Sequence, residues 1–169
     1  RATVSEFGPV LFSRILDLND VQSGIMSIIF KYCDDHKLGL IDLKDIRKVI
    51  QYLTGEGKAE LEKEYGAMST ASTGVILRKI IELEQQGAER FFGEESFDIR
   101  DLMRRDSNGN GYINIIRLTD IQDKPKLFST FMLQLLAEVY NTMPEKGDQP
   151  KPELMIFIDE AHLIFNQAS

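Results

Sequence analysis

The apolar positions of the first hundred residues recur at helical spacing. Between residues 21 and 32, apolar side chains follow one another at intervals of four, three, one and three, which places them on one face of an amphipathic helix. Asn19 precedes this pattern and Gln22 stands three residues later, the arrangement of a capping box. A second apolar stripe covers residues 43–53, and the glycine-containing segment 54–57 ends it. These signals predict two well-bounded helices.

The other helical patterns are shorter or less regular. Pro9 is expected in the first turn of a helix that reaches Leu18, because proline is tolerated at a first helical position. The apolar stripe that follows Lys124 and Pro125 reaches Met143, and it is wide enough to be buried on more than one side. Further helical segments are expected at about 58–68, 70–92 and 98–103.

Two stretches in the last third of the chain predict strands instead. The segment 112–118 is rich in β-branched and aromatic residues, and a turn cluster at 108–111 precedes it. The segment 154–158 has five apolar residues in a row, which is typical of a strand buried on both faces. With the helix between them, they predict a right-handed parallel βαβ unit. We therefore expect an α/β fold, with the βαβ unit in residues 105–169 and a mostly helical region in residues 1–104.

Composition narrows the class of protein. The chain has 169 residues, 43% of them apolar, and no apolar run approaches the roughly 20 residues that span a bilayer. Its net charge of −7 disfavours non-specific nucleic-acid binding over the whole surface, although a local basic site stays open. Cys33 is the single cysteine, so no internal disulfide forms, and we expect a cytoplasmic protein with no membrane segment.

The strongest chemical motif follows the second predicted strand. The apolar run 154–158 ends in Asp159 and Glu160, which matches the Walker B element of P-loop NTPases. A buried parallel strand delivers its last residues to the crevice where ligands bind. Asp159 would hold Mg²⁺ there, and Glu160 would orient and deprotonate the attacking water. The alternative is a strand whose terminal acids only meet solvent or cap the next helix.

A Walker B element works with a phosphate-binding loop of the pattern G-x-x-x-x-G-K-[ST]. The nearest fragment is the segment 55–58, Gly-Glu-Gly-Lys. Tyr52 stands at the first glycine position and Ala59 at the hydroxyl position, and the fragment follows a helix instead of a strand. We expect a helix-terminating turn at this point.

Two segments indicate an alternative function, calcium binding, because each matches part of an EF-hand loop. Residues 106–117 supply oxygen ligands at the first, third and fifth positions and glycine at the sixth, but Arg117 replaces the bidentate glutamate. Residues 34–45 lie between two helices, with His36 and Leu38 at ligand positions. Both loops lack the bidentate ligand, so the sequence disfavours calcium sites and predicts a polar turn before a strand at 106–111.

The remaining candidate residues are one cysteine, two histidines and three arginines. Cys33 is expected to be a small buried hydrophobe rather than a nucleophile. His36 and His162 have no partner at zinc-ligand spacing, and His162 is better explained by packing or surface exposure than by sensing a nucleotide. The arginines at positions 100, 104 and 105 form a small basic patch that suits a solvated helix face as well as it suits DNA.

Taken with the Walker B stretch, several other segments make the chain resemble bacterial HerA-like ATPases of the YjgR group, in the HerA–FtsK branch of P-loop NTPases. The likeness spans essentially the whole sequence. These further segments are Ala2–Pro9, Leu16–Asp20, Leu43–Asp45, Ser69–Ser72 and Phe91–Glu94.

The resemblance implies an incomplete RecA-like core, with the Walker A loop upstream of residue 1 and further strands beyond residue 169. It implies ATP and Mg²⁺ as cofactors, ATP hydrolysis by a helicase or DNA translocase, and a homo-oligomeric, hexameric ring. Asp159 and Glu160 are the residues that match the family motif. Arg1 stands where an initial Met would, which agrees with an internal segment, and we expect this chain to be inactive alone. The alternatives are a regulatory or interaction module with degenerate EF-hand loops and a helical interaction domain without a ligand.

Overall fold

The computed structural model describes residues 1–118, 121, 124–143, 147–148, 150–159 and 161. The chain divides into two compact units, which we name the N-terminal unit (Arg1–Ser96) and the C-terminal unit (Phe97–Ser169). In the described residues the N-terminal unit contains five α-helices and a short 3₁₀ turn. Their bounds are α1 Val4–Ile15, α2 Asp20–Asp35, α3 Leu43–Thr54, α4 Lys58–Glu64, α5 Thr70–Gln85 and the turn Ala88–Arg90.

Reciprocal capping boxes mark where three of these helices begin. Asn19 accepts a hydrogen bond from the Gln22 backbone N–H, while the Gln22 side chain accepts one from the Asn19 N–H. The same reciprocal box joins Thr3 to Glu6 before α1 and Asp42 to Asp45 before α3. Because the first four N–H groups of a helix lack partners within it, these bonds stabilise the start of each helix. The predicted cap at Asn19 is confirmed.

Helix α1 consists of two helical segments joined by a kink at Gly8, which has φ 69° and ψ 170°. A side chain is strained at this positive φ, so glycine suits the kink. The second segment begins at Pro9, as the sequence predicts, but it ends at Ile15 and not at Leu18. Helix α5 is shorter than expected and ends at Gln85, because Gly87 follows with a left-handed φ of 83°.

The core of the N-terminal unit is built from the apolar stripes of the helices. Ile46 and Ile50 of α3 and Ile76 and Ile80 of α5 are all fully buried, and α3 packs on α5. Burying such a side chain stabilises the fold by about 1.5–3 kcal/mol. An aromatic group covers another part of the core, where Phe92 contacts Phe12 edge-to-face at a ring separation of 5.8 Å.

The described part of the C-terminal unit contains a 3₁₀ turn, a polar turn, one long helix and two segments without regular secondary structure, 112–118 and 154–158. Asp98 accepts a hydrogen bond from the Arg100 N–H at the start of the 3₁₀ turn Ile99–Met103, which confirms that short helical turn. Helix α6, Pro125–Thr142, has proline in its first turn, as the sequence predicts.

The predicted α/β core is wrong for the structure described. Neither segment 112–118 nor segment 154–158 forms a strand, and among the described residues the β-pairs are two isolated bridges, Ala2 with Phe92 and Arg105 with Gly111. The parallel βαβ unit and the partial RecA-like sheet are therefore absent from the described part of the chain. Both segments lie outside regular secondary structure, because a strand exists only when a neighbour accepts and donates its backbone hydrogen bonds.

The expected burial of segment 154–158 is wrong as well, because Phe157 is 87% exposed and Met155 is 62% exposed. In segment 112–118, Ile113 is 93% exposed. A pattern of β-branched and aromatic residues indicates that a segment fits a packed, pleated sheet. The pattern does not show whether a neighbouring strand or helix is present for the segment to pack against.

Candidate functional site

The candidate site lies at the end of the apolar segment 154–158. Asp159 follows this segment in an exposed turn. Glu160, the predicted catalytic residue, lies outside the described residues, as does His162. The structure thus positions the expected metal ligand of the Walker B motif and leaves the neighbouring glutamate as a prediction from the motif.

Asp159 borders a cavity of about 900 Å³ within the C-terminal unit. Its apolar floor includes Phe128, Met132 and Leu135, which recur along α6 at intervals of four and three and are 5–6% exposed. The segments 112–118 and 154–158 form other parts of its lining. The two segments predicted as neighbouring strands therefore face one cavity instead of pairing in one sheet.

Charged side chains share the lining of this cavity with Asp159. Arg104, Arg105, Arg117 and Lys151 contribute positive charge, and Glu153 adds a second carboxylate. The cavity brings two arginines of the predicted basic patch to the same space as Asp159, and it adds Arg117 from the degenerate calcium loop.

Neighbouring aspartates pair with two arginines of that basic patch. Arg100 forms a double hydrogen bond with Asp98, with a shortest distance of 2.7 Å between Nη2 and Oδ2. These bonds lower the pKa of Asp98 and raise that of Arg100. Arg104 Nε lies 3.7 Å from Asp101 Oδ1. The arrangement is that of an exposed, internally paired surface, which agrees with the interpretation as a solvated face.

The glycine-rich fragment 55–58 forms the turn between α3 and α4. A Cβ atom added at Gly57 would lie 2.4 Å from Cε1 of Tyr52, so the turn packs tightly against the preceding helix. The N–H groups of Gly55 and Gly57 both donate to the Tyr52 carbonyl. These bonds turn the backbone donors inward, and the fragment is a helix-terminating turn, as predicted.

Each EF-hand-like loop uses its carboxylates to hold its own backbone. Asp106 Oδ1 accepts hydrogen bonds from the N–H groups of Asn108 (2.9 Å) and Asn110 (2.8 Å), which lower the pKa of Asp106 together with an Asn110 side-chain bond. Asp45 Oδ2 accepts from the N–H groups of Ile41 and Asp42. Within the described ranges, no group of three or more His, Cys, Asp or Glu side chains is arranged to hold a metal ion.

Cys33 and His36 lie near the end of α2 in different surroundings. Cys33 is 1% exposed, and burial, followed by the Asp34 carboxylate, raises the pKa of its thiol to about 11. This agrees with a packing role. The His36 ring stacks on Tyr32 and faces Glu60 across a 3.4 Å gap between Nε2 and Oε1. Sequence reasoning missed this contact; the spacing of four between Tyr32 and His36 signals the stack, whereas nothing local signals Glu60.

We compared these residues with the requirements of an ATP–Mg²⁺ site. Asp159 is a hard oxygen ligand of the kind Mg²⁺ prefers. The fragment 55–58 provides no phosphate cradle, because its glycine N–H groups bond to Tyr52. The described residues thus fit one ligand of such a site and do not fit the phosphate-binding part.

Comparison with protein families places the chain among motor proteins. The sequence matches the family described as Helicase HerA-like C-terminal over residues 1–169, and the chain belongs to this family. This confirms the resemblance drawn from the sequence motifs and indicates a motor of the HerA/FtsK type. No curated protein and no solved structure matches the chain significantly. No helix in the described part of the chain is long and apolar enough to cross a membrane.

Proposed function

We propose that this chain contributes the Walker B part of an ATP-hydrolysing DNA translocase or helicase. The observation that carries the proposal is membership of the HerA-like helicase family over all 169 residues. The motif at residues 154–160 indicates which residues would carry the chemistry of the family, since Asp159 lies exposed at the end of the apolar segment.

In this proposal the two acids have different roles. The Asp159 carboxylate would hold Mg²⁺, and Glu160 would orient the attacking water and accept its proton. The phosphate-binding loop would come from elsewhere in the parent protein, because the fragment 55–58 is a closed turn. The parent would act in the cytoplasm as a homo-oligomeric, hexameric ring with DNA as its substrate.

The decisive experiment replaces Glu160 by glutamine in the full-length parent protein. We expect Glu160→Gln to abolish ATP turnover and to leave nucleotide binding intact, because the amide keeps the shape but cannot accept the proton. Turnover would be followed by phosphate release and binding by a fluorescent ATP analogue. Glu82→Gln is the matched control, since it makes the same change at an exposed position of α5 that does not line the cavity beside Asp159, and it should preserve turnover.

Unchanged turnover in Glu160→Gln would contradict the proposal. The 169-residue chain alone gives an independent check, and we expect it to hydrolyse no ATP because it holds no described phosphate-binding loop. Hydrolysis by the isolated chain at a rate proportional to its concentration, and lost in Glu160→Gln, would show that the phosphate-binding residues lie within the chain.

A further inference from the structure

The structure divides the basic patch that the sequence places at positions 100, 104 and 105. Arg100 pairs with Asp98, and Arg104 lies 3.7 Å from Asp101. Arg105 is exposed, forms no ion pair with another described residue, and lines the cavity of the C-terminal unit. The first two arginines therefore belong to a surface whose charge is neutralised locally, whereas the charge of Arg105 faces the cavity without a described counter-charge.

Two further cations share the cavity with Arg105. Arg117 and Lys151 line it, both are exposed, and neither forms an ion pair or a side-chain hydrogen bond with another described residue. Glu153 and Asp159 also line the cavity, but both take part in other interactions. In a chain with a net charge of −7, three such cations at one cavity create a local positive potential that attracts an anion.

Exposed aromatic rings give the same cavity a second kind of contact. Tyr112 is 58% exposed and Phe157 is 87% exposed, and both line the cavity. The exposed side chains of Ile113 and Met155 line it as well and widen the apolar surface. Exposed apolar groups that gather on one surface indicate an interaction site. Cations that contact phosphates and rings that stack on bases are the combination by which proteins hold single-stranded nucleic acids.

The length of the lining favours an extended ligand over a compact anion. Every residue of the segment 151–159 contributes to the lining, and nine residues of chain reach up to about 30 Å. A duplex offers the phosphates but keeps its base faces stacked on each other, so it leaves Tyr112 and Phe157 without a partner. A single strand presents both its phosphates and its base faces.

We propose that this cavity binds a stretch of single-stranded nucleic acid. Arg105, Arg117 and Lys151 contact its phosphates, and the rings of Tyr112 and Phe157 stack on its bases. The inference deepens the proposed function, and it rests on that proposal only in taking nucleic acid as the polymer on which the parent acts.

Fluorescence anisotropy tests the site in the complete 169-residue chain, without ATP or Mg²⁺. The probe is a labelled oligothymidylate of about twelve nucleotides, which is within the length that single-strand sites cover. We expect a dissociation constant of about 1–100 µM at physiological salt. The logarithm of the binding constant should fall with the logarithm of the salt concentration with a slope of about −2, because each of three phosphate contacts contributes about −0.7.

Variants separate the two kinds of contact. Arg117→Ala should weaken binding and reduce the salt slope by about 0.7, because one phosphate contact is lost. Phe157→Ala should weaken binding about fivefold or more and leave the slope unchanged, because stacking releases no counterions. Arg100→Ala is the matched control for charge, and Tyr140→Ala is the matched control for the ring, since Tyr140 is 84% exposed and neither residue lines the cavity. Both controls should bind as the wild type does.

A salt slope near zero, or equal losses of affinity in Arg117→Ala and Arg100→Ala, would overturn the proposal. Tighter binding of a duplex of the same length, or of polyglutamate, than of oligothymidylate would overturn it as well. The binding assay involves no turnover, so the two proposals fail separately. Absent oligothymidylate binding refutes this site even if Glu160→Gln abolishes turnover in the parent, whereas unchanged turnover in Glu160→Gln refutes the proposed function and leaves the binding result standing.

Discussion

Two isoleucines that each belong to an apolar pattern, one in each unit, differ almost completely in their burial. Ile46 belongs to an apolar stripe in the N-terminal unit and is 0% exposed, whereas Ile113 belongs to an apolar stretch in the C-terminal unit and is 93% exposed. The first stripe folds into α3, a helix whose backbone groups bond within the helix. The second would need a neighbouring strand, and the described residues supply none. Apolar pattern therefore predicts burial only where the segment can satisfy its own backbone.

Helix α6 supports this explanation from within the C-terminal unit. It lies between segments 112–118 and 154–158 in sequence, and Phe128, Met132 and Leu135 are nevertheless 5–6% exposed. The difference is therefore between kinds of secondary structure, because a helix in the C-terminal unit behaves as the helices of the N-terminal unit do.

The largest expected effect comes from truncating these two isoleucines. We expect Ile46→Ala to lower the free energy of unfolding of the N-terminal unit by about 2–5 kcal/mol, since it leaves a cavity in a packed core. Ile113→Ala should change stability by less than about 0.5 kcal/mol, because its side chain is exposed. Urea unfolding followed by circular dichroism measures both. Comparable losses for the two variants would show that segment 112–118 is buried in solution.

A smaller effect is expected at the start of α2. Asn19→Ala should destabilise the N-terminal unit by about 1 kcal/mol, because it removes the side-chain oxygen that accepts from the Gln22 N–H. Asn19→Asp is the control, since aspartate keeps an acceptor at the same place and is an equally good cap. The same urea titration applies, and equal losses in the two variants would show that the cap bond does not account for the effect.

The sequence predicts those parts of the fold that depend on nearby residues. The Asn19 cap and the helical turn after Asp98 are local, and both are present as predicted. The sequence predicts the end of α5 too late, because apolar residues continue to Phe92. The left-handed conformation of Gly87 terminates the helix before them. The strand predictions for segments 112–118 and 154–158 are wrong because strand formation depends on a partner strand that no local pattern specifies.

The sequence predicts the motif of the candidate site but not the cavity beside it. Asp159 and Glu160 were found by motif, which requires only adjacent residues, and the structure describes the first of them in an exposed turn. The cavity that Asp159 shares with Arg105 and Arg117 joins residues more than forty positions apart in the chain. Such a juxtaposition follows from packing, and neither spacing nor composition indicates it.

The smallest expected effect concerns the turn around Asp106, where the C-terminal unit does satisfy its own backbone. The N–H groups of Asn108 and Asn110 donate to Asp106 Oδ1, and the Asn110 amide contributes a further bond to Oδ2. These bonds favour the carboxylate and hold the pKa of Asp106 below its ordinary value of about 3.9. The turn is therefore fully stabilised above that ordinary value, and the contribution is lost as pH falls through the lower folded-state value.

Carbon-detected NMR titration of the Asp106 carboxyl group measures this directly. We expect a midpoint below the ordinary value, and we expect the amide protons of Asn108 and Asn110 to shift at the same pH because they donate to the titrating oxygen. Asp106→Asn keeps an acceptor oxygen but cannot titrate, so the two amide shifts should lose that pH dependence. A midpoint at or above the ordinary value would mean that the turn opens in solution. In that case the C-terminal unit would differ from the N-terminal unit in its turns as well as in segments 112–118 and 154–158.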